Sequence, residues 1–410
     1  MALPTVTTGS NGVRPGLATT GTGLSRVLAL LAPGEGRRDE YLAVGPAGRP
    51  TFLLPRDRRV ARAACTSYNS LRTPAVRRRR RAVSAVVGVG LGPVVADPVA
   101  STGPPADPGG RPLLDELADL LGTGPLAAAV GMGGMDDWWT PVLQLFDDAG
   151  RPAGYAKVGT TPLTAELVRN EARVLRHLRR HPPRRLVVPR VVGHGVWAGC
   201  QVVVTEPLPA EVRALDRTMP PRCPLVGPGG PSTDSPLAAS SWWGTVRERL
   251  QQPAGAVGAR TRTVLDQLDH RCAGVELPLG LSHGDWVPWN LALLSDAAGP
   301  ALVAWDWEYG ATDAPVGLDD LHGAYVVARQ LGADVAGALS VSLVHGREVR
   351  PDPSLLDLLA VVHPAVLLSR ELQRAALAPG SADAEGLTLE GAEVLAVLER
   401  RLGCGTGAVA

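Results

Sequence analysis

The chain has 410 residues, 45% of them hydrophobic and 20% charged, with a formal net charge of +1. That length supports two or three domains with cores of their own, and the near-neutral balance argues against a nucleic-acid partner for the molecule as a whole. Cys65, Cys200, Cys223, Cys272 and Cys404 are odd in number and form no Cys-x-x-Cys pair. This excludes a disulfide framework and a zinc site, and it fits a reducing, cytoplasmic setting.

Residues 1–25 are rich in Gly, Thr and Ser and are expected to be disordered. Residues 26–98 read as a small accessory α/β subdomain. TFLLP and AVSAVVGVGLGPVV (82–95) are its expected strands, with a basic, helix-like stretch, 57–81, between them. The second apolar run is 14 residues long and holds three Gly and a Pro. A membrane-spanning helix needs about 20 residues, so no membrane partner is expected. Residues 77–81 are five consecutive arginines, and on a helix some of them must face solvent. Nucleic-acid binding through this unit is therefore kept as an alternative reading. The Pro/Gly-rich segment 99–112 reads as a linker.

Residues 113–208 read as a sheet-rich lobe. A helix over 113–122 precedes a strand, AAAVGMGGM, that runs into a Gly-rich turn. Strands over 140–147 and 152–159 flank the turn Asp148-Ala149-Gly150-Arg151. A helix follows over 161–180, with Thr161 as its cap and Pro162 at its first position. VVGHGVW and CQVVVTE are the next strands. Residues 209–403 read as mainly helical, with a long loop at 218–240 and helices over 241–251, 256–272, 318–332, 334–345, 354–377 and 386–402. Nothing in the sequence specifies an oligomeric state.

Of 41 Lys plus Arg, Lys157 is the only lysine. Lysine is not replaceable by arginine where a compact ammonium must fit. Glu171 lies beside the apolar stripe of Leu167, Val174, Leu175 and Leu178 on the next helix, where a carboxylate is expensive unless paired. A Lys157–Glu171 pair would satisfy both. Within 281–310, Leu291–Leu294 and Ala301–Trp305 read as a hairpin. An antiparallel hairpin brings Asn290 beside Asp306, although they are 16 positions apart. Two such oxygen ligands suit Mg²⁺, and Asp285, on the loop leading in, could accept a proton from a hydroxyl. The plainer readings are strand-end Asp and Asn residues bonded to backbone, and His283 bracing a loop. Taken together, the lone Lys, the helix Glu, the Asp-x-x-x-x-Asn loop and the strand-terminal Asp occur in the order that protein kinases use for phosphoryl transfer.

HGDWVPWN, 283–290, resembles the His-Gly-Asp-x-x-x-x-Asn motif of the aminoglycoside phosphotransferase family, which includes choline, homoserine and related small-molecule kinases. WDWE, 305–308, is similar to its Asp-Trp-Glu, and PVGLDDL, 315–321, to its Pro-to-Asp-Leu segment, though longer. The resemblance spans about residues 113–400. It implies an α+β, protein-kinase-like, two-lobed fold: an antiparallel-sheet N-lobe and a mainly helical C-lobe, with the N-terminal subdomain added. It also implies ATP- and Mg²⁺-dependent transfer of the γ-phosphate to a small-molecule hydroxyl on an aminoglycoside, amino alcohol or sugar. Asp285 would be the base, Asn290 and Asp306 the metal ligands, and Lys157 the phosphate-binding lysine held by Glu171. His283 and Asp320 would brace the catalytic loop. TEPLP would be the adenine hinge, with Glu206 and Leu208 meeting the base. There is no Gly-x-Gly-x-x-Gly; Gly131, Gly133 and Gly134 are the candidate phosphate loop. Trp286, Trp289, Glu308, Asp313 and Asp319 are candidate substrate contacts, the three acids for an amine-bearing substrate. Core filling and helix capping are their plainer readings. A catalytically weak pseudokinase-like scaffold is the other alternative, and the intact set of chemical groups argues against it.

Overall fold

The computed structural model describes residues 5–7, 23–34, 37–46, 48–102, 110–133, 138–225, 232–296, 299–349, 352–377 and 386–404. The chain divides into two compact units. The first comprises Met1–Pro182, Val187–Ala214 and Leu293–Val303; the second comprises Pro183–Leu186, Leu215–Ala292 and Ala304–Ala410.

The first unit begins with β1 (Thr5–Thr7), α1 (Gly23–Leu30), β2 (Arg38–Val44), β3 (Phe52–Pro55), α2 (Arg58–Thr66), α3 (Pro74–Gly88), α4 (Gly92–Val95) and β4 (Asp97–Thr102). It continues with α5 (Leu113–Leu121), β5 (Ala127–Gly131), β6 (Val142–Phe146), β7 (Pro152–Gly159), α6 (Pro162–Arg180), β8 (Leu186–Val187, of which Leu186 is counted in the second unit), β9 (Val191–Trp197), β10 (Cys200–Thr205) and β11 (Arg213–Ala214). Nine strands form one sheet in the order β1-β9-β10-β7-β6-β5-β3-β2-β4, antiparallel apart from the β1–β9 pair. The strands of residues 38–102 thus extend the sheet of 127–205, and β4 reaches Thr102, inside the segment read as a linker. Residues 103–109 of that segment, and most of 1–25, lie outside the described residues; Thr5–Thr7 form a strand and helix α1 starts at Gly23.

Two local devices place β7 and α6. Thr161 and Thr164 form a reciprocal capping box at the start of α6, with Pro162 in the first turn, and His177, Arg179 and Arg180 complement the dipole in its last turn. A Cβ at Gly159 would stand 2.6 Å from Thr164 and Ala165 backbone atoms, so glycine lets the end of β7 abut the start of α6.

One expectation is corrected here. Residues 82–95 are not buried strands but the end of α3 and all of α4. Pro74 at the start and the arginine run favour helix. Val87 packs inward, while Val89, Leu91 and Val94 stay exposed, so the apolar run never forms a buried strand.

The second unit contains β12 (Ser232–Pro236), α7 (Ser241–Gln251), α8 (Gly255–Cys272), β13 (Glu276–Ser282), β14 (Leu291–Asp296), β15 (Gly299–Ala304), β16 (Ala311–Pro315), α9 (Leu318–Gln330), α10 (Val335–Val349), α11 (Pro353–Leu377) and α12 (Leu389–Leu402), with the body of the β14–β15 hairpin counted in the first unit. Its core is a single cluster drawn from α7 to α12, including Trp243, Leu268, Leu339, Leu359 and Leu395. Strands β12, β13 and β16 form a three-stranded sheet that the sequence pattern did not show. β12 falls within the segment read as a loop, 218–240, of which 226–231 lie outside the described residues. The α+β class is as expected, with a sheet-dominated and a mainly helical unit. Among the described residues, no helix is long and apolar enough to cross a membrane.

Candidate active site

In the first unit, Lys157 sits on a central strand, opposite Val142 on β6 and Val203 on β10. Its Nζ lies 2.7 Å from Glu171 Oε2, and the two side chains are 13% and 5% exposed. Glu171 is buried with Leu167, Val168, Val174 and Leu175 on α6. The ion pair inferred from an apolar stripe and a lone lysine is therefore present.

The Gly-rich turn is only partly described. Gly131 has open space around it, and a Cβ on Gly133 would stand 2.7 Å from Trp139 Nε1. Gly134 lies outside the described residues. In the TEPLP segment, Glu206 pairs with Arg190, and that hydrogen bond holds its carboxyl below the ordinary value against partial burial. The Leu208 carbonyl accepts a 2.6 Å hydrogen bond from the Tyr68 hydroxyl. Tyr68 has left-handed backbone geometry, and its ring tilts against Tyr155 at 6.0 Å. Burial and the Glu211 charge push its hydroxyl up to about 12, so it remains a donor.

In the second unit, the HGD turn is built around glycine. Gly284 has φ +78, and a Cβ there would overlap the Tyr309 carbonyl. The backbone amide of Asp285 donates to His283 Nδ1 at 3.2 Å, so Nε2 carries the hydrogen and donates to the Trp305 carbonyl at 2.9 Å. His283 is fully buried between Trp286, 5.7 Å away, and Trp307, 4.4 Å away. Arg370 donates to the Gly284 carbonyl at 2.8 Å and stacks on the Tyr309 ring.

Asp285 Oδ2 accepts from Asn290 Nδ2 at 2.8 Å, and Oδ1 lies 3.2 Å from His322 Nε2. Partial burial would raise its carboxyl, but the His322 hydrogen bond and the charges of His322 and Arg370 outweigh it and hold the group below the ordinary value. Asp285 is therefore an ionised acceptor at neutral pH. The Trp305 amide donates to the Asn290 carbonyl at 3.1 Å, which closes the base of the hairpin and seats Asp306 next to that pairing. Asp306 has φ +69, a left-handed conformation that is rare outside glycine and is tolerated by Asp. A carboxylate oxygen of Asp306 lies within 4.8 Å of one from Glu308.

Three assignments are corrected. Asp319, not Asp320, braces the catalytic loop. Its Oδ1 accepts from Ser282 Oγ at 2.9 Å and the Gly284 amide at 2.8 Å, and its Oδ2 accepts from the His283 amide at 2.7 Å. Asp320 instead takes the Cys223 amide at 2.8 Å. Trp286 is fully buried and cannot meet a substrate, whereas Trp289 is half-buried. Asp313 caps α7: one oxygen accepts from the Ser241 amide and hydroxyl, each at 2.7 Å, and from the Trp242 amide at 3.3 Å.

Sequence reading missed His322 and Tyr68, and it offered Asp319 as a substrate contact or helix cap rather than as the brace of the loop. Asp319 and His322 are three residues apart and so share a face of α9, and that spacing was the available signal. Tyr68 carries none.

No family model matches the chain, and no curated protein does. Among solved structures, a microcompartment-associated aminopropanol kinase is 14% identical with a TM-score of 0.35, covering 67% of this chain and 90% of its own. An ethanolamine kinase of Plasmodium vivax is 11% identical with a TM-score of 0.38, covering 67% and 82%. A mutant kinase domain of PknI from Mycobacterium tuberculosis is 16% identical with a TM-score of 0.21, covering 64% and 91%.

Proposed function

We propose that the protein is an ATP- and Mg²⁺-dependent phosphotransferase acting on a hydroxyl of a small molecule: an aminoglycoside, amino alcohol or sugar. The observation that carries this reading is the Asp285–Asn290 contact. It directs the Asn290 amide nitrogen to the base and leaves its side-chain carbonyl oxygen as a hard donor, while Asp306, next to the Trp305–Asn290 backbone bond, keeps a carboxylate oxygen near one of Glu308. This donor set fits Mg²⁺, which takes oxygen ligands from one or two carboxylates together with phosphate oxygens and water. When bound, the ion would neutralise charge on the phosphates.

Asp285 takes the proton of the acceptor hydroxyl as that oxygen bonds to the γ-phosphorus. The bond between the γ-phosphorus and the β–γ bridging oxygen breaks, and ADP leaves. His322 and Asn290 hold the carboxylate in one rotamer, so it meets the hydroxyl without reorganising. Lys157, steadied by Glu171, offers a point charge to α- and β-phosphate oxygens. At the hinge, the Glu206 carbonyl and the Leu208 amide would meet adenine, and Tyr68 fixes the orientation of the Leu208 peptide. All five cysteines are free, four of them buried, which agrees with a cytoplasmic enzyme.

The test is a mass-shift screen with Mg²⁺-ATP against pooled amino alcohols, sugars and aminoglycosides. Asp285→Asn should keep nucleotide binding and lose about 10²–10⁴-fold in turnover. Lys157→Ala should weaken ATP binding. Turnover by Asp285→Asn equal to the parent would overturn the assignment of the base.

A further inference from the structure

The first unit holds a second candidate site, built from residues that play no part in the proposed phosphoryl transfer. Helix α2, the end of α3 and the β6–β7 turn enclose an open cavity of ≈ 910 Å³, lined by Arg56, Arg58, Arg59 and Arg62 against Asp57 and Asp148. Asp57 is already used, since its side chain accepts the Val60 amide at the start of α2. Arg56 pairs with Glu40. Arg58, Arg59 and Arg62 make no ion pair among the described residues, and all three are exposed. Asp57 and Asp148 line the same cavity but form no ion pair with any of the three, so like charges are gathered there with no direct partner and repel one another.

The backbone is shaped around these three side chains. A Cβ on Gly88 would stand 2.7 Å from Arg62 Cδ. One on Gly90, at φ +86, would stand 2.5 Å from an Arg58 guanidinium nitrogen. One on Gly150, at φ +75, would stand 3.3 Å from Arg59 Cγ. Each arginine therefore lies over a glycine, and the left-handed turns at Gly90 and Gly150 place two of those glycines.

We propose that this cavity binds a small oligophosphate, as a free ion or as the phosphate tail of a small molecule. Guanidinium forks match phosphate oxygens two at a time, and several converging forks recognise a compact group with more than two negative charges. The volume falls in the range of about 300–1,000 Å³ used by small ligands. A nucleic-acid strand needs cations set out along a track. Here the exposed Arg78, Arg79 and Arg81 of α3 do not line the cavity. A compact anion is therefore the better fit.

The test uses the full chain and tripolyphosphate as the probe, by titration calorimetry without Mg²⁺. It is run in the parent and in Lys157→Ala, so that the lysine proposed to bind ATP does not contribute. In the Lys157→Ala protein we expect one site, weakened at least tenfold in R58A/R62A and unchanged by R78A/R79A. Ala149→Glu adds a carboxylate to the cavity wall, removes no arginine, and should weaken binding to a similar degree. The inference is overturned by no binding to the Lys157→Ala protein, or by binding that ignores both R58A/R62A and Ala149→Glu. It is equally overturned if R78A/R79A abolishes binding and a short single-stranded DNA displaces the probe, which would identify a nucleic-acid surface instead.

Discussion

Asp319 offers the sharpest test of how the catalytic loop is held. Its buried carboxylate receives the Ser282 hydroxyl and the amides of His283 and Gly284, at 2.9, 2.7 and 2.8 Å. A hydrogen bond to a charged acceptor is worth about 1.5–3 kcal/mol, so three would sum to about 5–9 kcal/mol. That sum overshoots, because removing the carboxylate also removes the cost of burying it, and water can reach part of the gap. We expect Asp319→Ala to lose about 3–5 kcal/mol, against a total stability of about 5–15 kcal/mol. Asp319→Asn should lose less. Its carbonyl can serve the Ser282 and Gly284 donors, but its amide then faces the His283 N–H, donor against donor. Urea unfolding followed by tryptophan fluorescence is the assay, since Trp286 and Trp307 pack on His283. Asp320→Asn is the control, because that residue serves Cys223 rather than the loop. A loss below about 1 kcal/mol in Asp319→Ala, or a larger loss in Asp320→Asn, would refute the brace.

Three further outcomes are expected. Gly284→Ala should lose about 2 kcal/mol or more by thermal unfolding and also lose turnover, because its φ of +78 and the nearby Tyr309 carbonyl both exclude a Cβ. His363 is buried, and burial together with the charges of His322, Arg370 and Arg401 holds its pKa well below 6.5. The unfolded chain therefore binds the extra proton first, and stability falls as pH drops below 6.5. His363→Phe should flatten the melting temperature between neutral and mildly acid pH, as read by calorimetry. The depressed Asp285 carboxyl adds its own loss only further into acid, below the ordinary carboxylate range. Tyr68→Phe removes the 2.6 Å bond to Leu208 and should cost about 0.5–1.5 kcal/mol in unfolding while raising the KM for ATP.

The sequence by itself determined the features that depend on local pattern. Helix α6, with its Thr161 cap and Pro162, and strand β7 were legible because periodicity and capping act within a few residues. The Lys157–Glu171 pair followed from the cost of a carboxylate on an apolar stripe, a cost that needs no knowledge of the fold. The closing of the hairpin's two ends, which places Asp306 next to the Trp305–Asn290 bond, followed from antiparallel geometry. Tertiary structure alone decided between Asp319 and Asp320, which are adjacent on α9 and point about 100° apart, so only the packing of the helix selects which one meets the HGD turn. The same holds for Trp286 and Trp289, one buried and one half-buried within a single motif. It holds too for residues 82–95, whose valines suit a strand but whose helix is set by Pro74 and by what Val87 packs against. Likewise, the arginines of α2 became a cavity only when the β6–β7 turn and the end of α3 at Gly88 closed around them. In each case the deciding contact joins residues far apart in sequence, and the free energy of such contacts exists only once the chain has folded.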